Sequence, residues 1–272
     1  MTVVAITGST RGIGFHLAKA FLERGCKVAV SGRTERAVAD AVDQLAKERG
    51  ELRASLAGVA CDVTDGAAVD ALLTATEARL GPVDIWINNA GTCNRIRPIE
   101  ELSAAELGQV VDINVKGNMH GTLTALRAMR PRGRGQIFSM EGWGSRGETS
   151  PGMTPYCMTK RALRYFADSL AKELRGTGVR VGTVSPGMVV TDLLVDSYAD
   201  GLPAYWQKKK WLFHFVVDPP EPVCAFLASR ILANRRANAH IAWMTPLRLL
   251  SRFFRPSYYR RNPFAGSALD TL

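Results

Sequence analysis

The chain has 272 residues, 46% of them hydrophobic and 22% charged, a composition typical of a globular protein that buries a sizeable core. Its net charge of +10 suits an anionic ligand or surface, but no nucleic-acid-binding module is recognisable, so nucleic acid is not an expected partner. No apolar run is long enough to span a bilayer, and no signal-type segment opens the chain. The five cysteines form no Cys-x-x-Cys pair and no metal-ligand spacing with the four histidines, which predicts reduced thiols, a cytoplasmic location and no metal site.

Strand-like and helix-like patterns alternate along the chain. Apolar, β-branched runs predict strands at residues 2–7, 27–32, 56–63, 83–88, 135–140 and 179–185. Helical periodicity predicts helices at about 13–24, 34–49, 66–79, 103–130 and on the segment that carries Tyr156. Strict alternation implies a parallel sheet with helices on both faces. We therefore expect a single α/β domain with a doubly wound sheet.

The first strand-to-helix turn reads "TGSTRGIG", residues 7–14. Glycines at such a turn allow the backbone to approach a ligand closely, and the helix N-terminus offers free N–H groups to a phosphate. In this position the turn predicts a Rossmann-type dinucleotide site. Its candidate residues are Gly8, Ser9, Arg11, Gly12, Ile13 and Gly14.

The end of the second predicted strand bears on the choice of nucleotide. A site for NAD would place an acidic residue there to accept from the ribose 2′-hydroxyl, but this chain has Ser31, Gly32 and Arg33. Arg11 lies in the glycine turn, and two guanidinium groups without a carboxylate fit a 2′-phosphate. The sequence therefore favours NADP(H) over NAD, the alternative being that both arginines only face water.

Tyr156 and Lys160 stand four residues apart, which places them on one face of a helix. Alone, such a pair is usually surface decoration. Here "TGSTRGIG", "CDV" (61–63), "NNAG" (88–91), Asn114, the Tyr–Lys pair and "SPGMVVT" (185–191) occur in this order. Together they resemble the short-chain dehydrogenase/reductase family from residue 1 to about 192.

The resemblance implies a catalytic role for Tyr156 as the general acid–base. Lys160 would lower the pKa of the phenol, because a nearby ammonium favours the phenolate, and would bind the nicotinamide ribose. Asn114 would hold a water in a proton relay to Lys160. The resemblance also implies further cofactor contacts, with Asp62 and Val63 beside the adenine, Asn89, Ala90 and Gly91 along the cleft, and Pro186, Gly187, Val189 and Thr191 near the nicotinamide.

One position departs from the family pattern. The family usually has a serine about 13 residues before the tyrosine, and this chain has Trp143 at that count. Aligned on the strand, the serine position falls near Glu141 and Gly142. Three alternatives remain: Ser139, Ser145 after a longer turn, or no serine, with a backbone N–H or a water in its place. Ser145 is the favoured candidate, because the glycines before it let the chain turn into the cleft.

Three segments resemble the chlorophyll b reductase branch of the family: "GQIFSMEGWGS" (135–145), "SPGMVVTDLL" (185–194) and "IAWMTPLRLL" (241–250). This resemblance implies NADPH-dependent reduction of an aldehyde or ketone on a bulky apolar substrate. Two other functions remain open. One is reduction or oxidation of a smaller hydrophobic ketone or alcohol, and the other is an idle NADP-binding scaffold or sensor.

Residues 193–272 are expected to form a substrate lid and a C-terminal extension of the same domain, following a catalytic core at 1–192. Aromatic residues of the lid, which either cover an apolar substrate or pack on the core, are Tyr205, Trp206, Trp211, Phe213 and Phe215. The tail at 246–264 interleaves arginines with apolar residues. It is a candidate for peripheral contact with an anionic membrane or for packing against a neighbouring subunit of a dimer or tetramer.

Overall fold

A computed structural model describes residues 1–47, 50–198, 207–208, 210–265 and 270. The strands are β1 (Val3–Ile6), β2 (Lys27–Gly32), β3 (Leu56–Ala60), β4 (Ile85–Asn88), β5 (Gly135–Met140), β6 (Val179–Ser185), β7 (Met188–Val189), β8 (Val217–Asp218) and β9 (His240–Ala242). The helices are α1 (Gly12–Leu22), α2 (Glu35–Lys47), α3 (Gly66–Leu80), α4 (Ala104–Val111), α5 (Gly117–Met129), α6 (Thr154–Glu173), α7 (Asp192–Ser197), α8 (Phe213–Val216), α9 (Pro220–Leu232), α10 (Pro246–Phe253) and α11 (Pro256–Arg260).

The main sheet is parallel and has the order β3-β2-β1-β4-β5-β6-β9. The strand order reverses between β1 and β4, and ligands of open α/β sheets bind beyond the carboxyl ends of the strands at such a point. Both the glycine turn after β1 and residues 88–91 after β4 lie there. The single-domain, doubly wound α/β fold predicted from the sequence is confirmed.

The two faces of the sheet are covered by two separate hydrophobic clusters. Val4 and Ile6 of β1 point into one cluster, whereas Val3 and Ala5 point into the other. This alternation follows from the strand geometry, in which successive side chains point to opposite faces. Every residue of β1 is buried because both faces are covered.

The sheet continues past residue 192, where the sequence placed the end of the catalytic core. Strand β9 pairs with β6, with Val184 opposite Ile241. Helix α9 packs on α1, where Val223 and Leu227 join the same buried cluster as Phe21. The sequence did not reveal β9, because three half-buried residues carry too little periodicity to be recognised.

The long helical region predicted at 103–130 is divided. Ser103 caps α4, since its hydroxyl accepts from the Glu106 N–H and the Glu106 carboxylate accepts from the Ser103 N–H. A π-helical turn, Asp112–Lys116, joins α4 to α5 and buries Asn114. Such turns inside helices often occur at functional sites.

A smaller unit lies beside the carboxyl end of the sheet. Strands β7 and β8 pair in parallel, with Val189 opposite Asp218. Around them Tyr198, Phe213, Val217 and Phe264 form a third buried cluster. The predicted lid residues Tyr205 and Trp206 lie outside the described residues. Within the described ranges, no helix is both long enough and apolar enough to cross a membrane.

Candidate active site

The glycine turn is a close-packed cradle. Gly8 and Gly12 have left-handed backbones, with φ of +60° and +56°, which favour glycine. A Cβ atom on Gly8 would come within 2.8 Å of the Ala90 Cα atom, and one on Gly14 within 2.5 Å of the Asn89 amide nitrogen. The backbone after β1 therefore lies directly against the chain after β4, and side chains at these glycines would fill the space.

Polar side chains hold this cradle in place. The Ser9 hydroxyl donates to the Ile6 carbonyl at 2.7 Å and accepts from the Ser31 N–H at 3.0 Å. The Asn89 amide donates to the Thr7 and Gly8 carbonyls at 2.9 and 2.7 Å. The Thr7 hydroxyl, which the sequence analysis did not single out, accepts from the N–H groups of Asn89 and Ala90. Ser9 and Asn89 thus shape the turn through their side chains.

The two arginines of the predicted phosphate site lie at the surface. Arg33 follows β2 and lines a cleft of about 420 Å³ together with Asp62 and Ile113. Arg11 pairs with Asp192 at 3.3 Å, and both side chains are largely exposed. The pKa of Asp62 is lowered, mainly because its carboxylate accepts from the Thr64 N–H, with a smaller contribution from the charge of Arg33. The cleft therefore brings together Asp62, predicted to lie beside the adenine, and Arg33, predicted to bind the 2′-phosphate, whereas Arg11 and Val63 are not part of its lining.

The other predicted cofactor residues lie outside the lining of this cleft. Ile13 packs on the core below the turn, and Val63 is buried against Gly117. Thr191 begins α7, and its methyl group lies 3.5 Å from where a Cβ of Gly12 would be. Val189 is buried in β7. Pro186 is also buried, and Gly187 is exposed with a φ of +74°.

Tyr156 and Lys160 lie one turn apart near the start of α6, as their spacing predicts. Lys160 is buried, and its Nζ atom donates to the Met140 carbonyl at 3.1 Å and lies 5.6 Å from the centre of the Tyr156 ring. A Cβ on Gly142 would collide with the Tyr156 hydroxyl and come within 3.2 Å of Lys160. The backbone just after β5 therefore passes directly over the pair.

Burial controls the protonation of this pair. It lowers the pKa of Lys160 to about 8, and it raises the pKa of Tyr156 well above that of a free phenol. From the sequence, Lys160 was predicted to lower the pKa of Tyr156. In the protein by itself, the cost of desolvating the phenolate is the largest effect. The thiol of Cys93 lies near this pair. Burial raises the pKa of that thiol to about 11, so it is neutral at neutral pH.

Asn114 is fully hydrogen-bonded at the base of the site. Its side-chain oxygen accepts from the Thr92 N–H at 2.8 Å, and its amide donates to the Thr92 carbonyl and the Thr159 hydroxyl at 2.9 and 3.0 Å. A Cβ on Gly91 would lie 3.3 Å from the Asn114 oxygen and 3.4 Å from Lys160 Nζ. The structure thus gathers Gly91, Asn114 and Lys160 around one point.

The three alternatives for the missing serine have different environments. The Ser139 hydroxyl is buried on β5 and exchanges hydrogen bonds with the Asn118 amide at 2.9 and 3.2 Å. Ser145 is also buried, and its hydroxyl oxygen accepts from the Gly142 N–H at 3.1 Å. Ser145 therefore contacts the same residue that covers the Tyr156 hydroxyl, whereas Ser139 is engaged in helix packing.

Glu141, near the family's serine position, points into a buried polar network. Its carboxylate accepts from the Arg164 guanidinium at 2.7 Å and from the Thr183 hydroxyl at 2.6 Å. Thr183 also contacts the His240 ring at 2.7 Å, and His240 in turn contacts Asp168 at 3.0 Å. Burial lowers the pKa of His240. In the sequence, the acidic residue Glu141 beside the expected serine position was the one sign of this network.

Comparisons with known proteins identify the family of the chain. A family model described as short chain dehydrogenase matches residues 2–201. The chain is 36% identical to chlorophyll(ide) b reductase NOL, chloroplastic, of Oryza sativa subsp. japonica, over 97% of this chain and 78% of that protein. It is 35% identical to probable chlorophyll(ide) b reductase NYC1, chloroplastic, of the same plant, over 91% of this chain. The chain spans about half the length of the NYC1 relatives from rice and Arabidopsis thaliana.

Solved structures show the same architecture. The closed form of serine dehydrogenase complexed with NADP⁺ matches with a TM-score of 0.75 and 26% identity, over 90% of this chain and 95% of that one. A short-chain type dehydrogenase/reductase from Mycobacterium marinum matches with a TM-score of 0.74 and 28% identity, over 89% of this chain and 93% of that one. The resemblance inferred from the sequence motifs is confirmed.

Proposed function

The chain belongs to the short-chain dehydrogenase family, and on this premise we propose that it is an NADPH-dependent reductase of an aldehyde or ketone on a bulky apolar substrate. The observation that carries the proposal is the placement of the Tyr156 hydroxyl beside Lys160 and under the Gly142 backbone. This is a proton donor held at the carboxyl end of the sheet, next to the glycine cradle. A structural tyrosine would need no such arrangement.

The cradle fits a nicotinamide dinucleotide. Gly8 and Gly14 let the turn after β1 pack directly against the chain after β4, Gly8 and Gly12 give the turn its left-handed backbone, and the N-terminus of α1 favours an anionic group. We assign the 2′-phosphate to Arg33 and Arg11, because no carboxylate stands at the end of β2. When bound, the reduced cofactor supplies a hydride to the carbonyl carbon.

Tyr156 supplies the proton to the carbonyl oxygen. Its raised pKa keeps the phenol protonated at neutral pH, so the proton is available for transfer. Lys160, with a pKa of about 8, carries a proton under the same conditions and can pass one towards the tyrosine. Asn114 holds the backbone around Thr92 and the hydroxyl of Thr159, which keeps the relay region ordered.

Ser145 is proposed to stabilise the oxygen as negative charge develops. The Gly142 N–H donates to its oxygen, so the hydroxyl hydrogen remains free to donate elsewhere. Glu141 is directed away into the Arg164 network, which keeps its negative charge off the reacting oxygen. A donor aimed at the developing charge is worth about 100-fold in rate.

The choice of substrate rests on the relatives. Two relatives that match more than nine-tenths of the chain are named as chlorophyll(ide) b reductases, and the segment after β5 follows the pattern of that branch. We propose that the substrate is likewise a large apolar carbonyl compound. Phe213 and Phe215 of the lid are buried in packing, whereas Trp211 is exposed at the surface, so the buried aromatic rings of the lid belong to the core.

A second candidate is an NADP-binding scaffold without turnover, and the observation that favours it is Glu141 near the position of the family's serine. Purified protein should be tested for NADPH oxidation with a panel of apolar aldehydes and ketones that includes a tetrapyrrole aldehyde. NADPH binding should be followed by fluorescence in parallel. Turnover with any apolar carbonyl supports the reductase, and binding without turnover across the panel supports the scaffold.

The assembly and location of the protein are also proposals. Exposed apolar side chains on α5 and α6, among them Met119, Leu123 and Tyr165, support a homodimer or homotetramer. The two relatives from rice are named as chloroplastic proteins. For this chain we retain a cytoplasmic location, supported by cysteines that are all free in the structure.

A further inference from the structure

The C-terminal tail is anchored to the lid through one buried carboxylate. Asp218 of β8 accepts from Arg252 of α10 at 2.7 Å and pairs with Arg261 at 3.2 Å. The Trp243 indole also donates to Asp218 at 2.7 Å. Because Asp218 and Arg252 are both almost fully buried, the inner side of α10 is held firmly against the protein.

An aromatic cluster reinforces this contact. Phe253 stacks on Phe215 with ring centres 4.5 Å apart, and Tyr259 packs edge-on against Phe215 at 4.9 Å. Trp211 contacts the same two phenylalanines from the lid. Trp211 and Tyr259 stand at the exposed edges of the cluster. The tail and the lid therefore present one continuous, ordered surface.

The opposite side of α10 is apolar and exposed. Leu247, Leu250 and Phe254 are 80%, 55% and 79% exposed, and their spacing of three and four residues places them on one side of the helix. We call these three residues, with Trp211 and Tyr259, the outer face. Helix α10 is anchored to the protein on one side and exposes leucine and phenylalanine on the other. Such an arrangement is unusual for a helix that only faces solvent.

The charged residues around the outer face indicate an anionic binding partner. Residues 246–264 contain five arginines and no acidic residue. Arg252 and Arg261 form ion pairs with Asp218. The Arg248 guanidinium stacks on Trp243, with its Cζ atom 3.7 Å from the ring centre. Arg255 and Arg260 remain exposed beside the apolar side chains. Exposed apolar groups flanked by arginines match the boundary between acyl chains and anionic headgroups.

We propose that the outer face binds the surface of an anionic membrane, with α10 lying flat and its apolar side chains entering the headgroup region. The proposal goes beyond the reductase activity and needs no turnover. It also bears on substrate supply, since β8, which carries the anchor Asp218, pairs with β7, where Val189 borders the proposed cofactor site. An apolar substrate dissolved in the membrane would then be presented close to the cleft.

The test is co-sedimentation of the full chain with vesicles of phosphatidylcholine alone and of phosphatidylcholine mixed with phosphatidylglycerol. We expect binding to the mixed vesicles, weaker binding at high salt, and little binding to phosphatidylcholine. Leu247→Ser combined with Phe254→Ser should weaken binding at least tenfold, because two large apolar groups no longer enter the bilayer. Arg255→Ser combined with Arg260→Ser should weaken binding to the mixed vesicles by a similar factor.

Matched controls separate a specific surface from general stickiness. Ile99 is 54% exposed, close to the 55% of Leu250, but lies far along the chain before α4. Leu250→Ser should weaken vesicle binding severalfold, and Ile99→Ser should leave it unchanged. Thermal melting and NADPH binding of each variant confirm that the fold is retained.

The proposal is overturned if the wild-type protein does not co-sediment with anionic vesicles at low salt, or if the outer-face variants bind those vesicles as strongly as the wild type does. It is also overturned if those variants lose only a subunit contact, seen as a smaller mass in light scattering with vesicle binding unchanged. In that case the outer face meets a second copy of the chain. A protein that binds vesicles but reduces no carbonyl would refute the proposed function and leave this inference standing.

Discussion

At the scale of single residues, Tyr156 is the group on which the proposed chemistry depends. We predict that Tyr156→Phe removes turnover by at least two orders of magnitude, the usual contribution of a general acid, and leaves NADPH binding intact. The phenyl ring keeps its packing under Gly142, so the fold should not change. Single-turnover kinetics with a reactive aldehyde and a fluorescence titration with NADPH check the two statements. A variant with near-native rates would show that another group supplies the proton.

Arg33 is the residue expected to recognise the 2′-phosphate. We predict that Arg33→Asp weakens NADPH binding about tenfold or more and improves NADH binding, since a carboxylate repels the phosphate and accepts from a free 2′-hydroxyl. Arg36→Asp is the control, because Arg36 is also exposed, lies on α2 and pairs with Asp40. Titration of both cofactors into both variants is the measurement. An unchanged preference in Arg33→Asp would remove this residue from the cofactor site.

Substitutions of single residues also distinguish Ser145 from Ser139 as the hydrogen-bond donor to the developing oxyanion. We predict that Ser145→Ala lowers turnover about 100-fold, the usual loss for one donor to a developing oxyanion. Ser139→Ala should cost about 1–3 kcal/mol of stability, because it removes both hydrogen bonds with the buried Asn118 amide, and should leave turnover near native. Steady-state rates and denaturant unfolding distinguish the two effects. A rate loss in Ser139→Ala alone would instead place the donor on β5, and no loss in either would assign it to the backbone or a water.

At the scale of elements, the end of β5 is tied to its neighbours through Glu141. Its carboxylate joins α6 through Arg164 and β6 through Thr183, and its negative charge also raises the pKa of Lys160 against the effect of burial. We predict that Glu141→Gln lowers the pKa of Lys160 further. The alkaline limb of the turnover profile, where Lys160 loses its proton, should then move to lower pH.

Glu148→Gln is the control for this prediction, because Glu148 accepts from the Gly144 and Arg146 N–H groups of the same loop. Its pH profile should match that of the wild type. A purely structural role for Glu141 would lower the rate equally at every pH, and a limb that does not move would contradict an electrostatic link to Lys160.

At the scale of the whole molecule, Asp218 joins the lid to the tail and the tail to β9. We predict that Asp218→Asn destabilises the protein by about 3–5 kcal/mol, because it leaves the buried guanidinium of Arg252 without its counter-charge. Chemical denaturation measures the loss, and limited proteolysis should show earlier cleavage in residues 246–264. Asp192→Asn, which breaks the exposed pair with Arg11, should cost less than about 1 kcal/mol. Similar losses in both variants would show that burial of Asp218 confers no special stability.

Local patterns in the sequence determined most of the fold. The buried strands of the main sheet were visible because a strand covered on both faces is a continuous apolar run. The glycine turn and the Tyr156–Lys160 pair were visible because each spans only a few residues, so that spacing alone sets which groups meet. These features were sufficient to predict the fold and the family, and both predictions are confirmed.

Only the tertiary structure decided where the other groups point. Glu141 meets Arg164 and Thr183, which are 23 and 42 residues further along the chain, and Asp218 meets Arg252 34 residues further on. The sequence left Ser139 and Ser145 as two of three alternatives, with Ser145 favoured, and the structure distinguishes the two serines by their hydrogen-bond partners. It likewise divides the tail arginines into three that are engaged within the protein and two that are exposed. Such choices depend on which side chains from distant segments share a buried space, where each charge must find a partner because desolvation is costly.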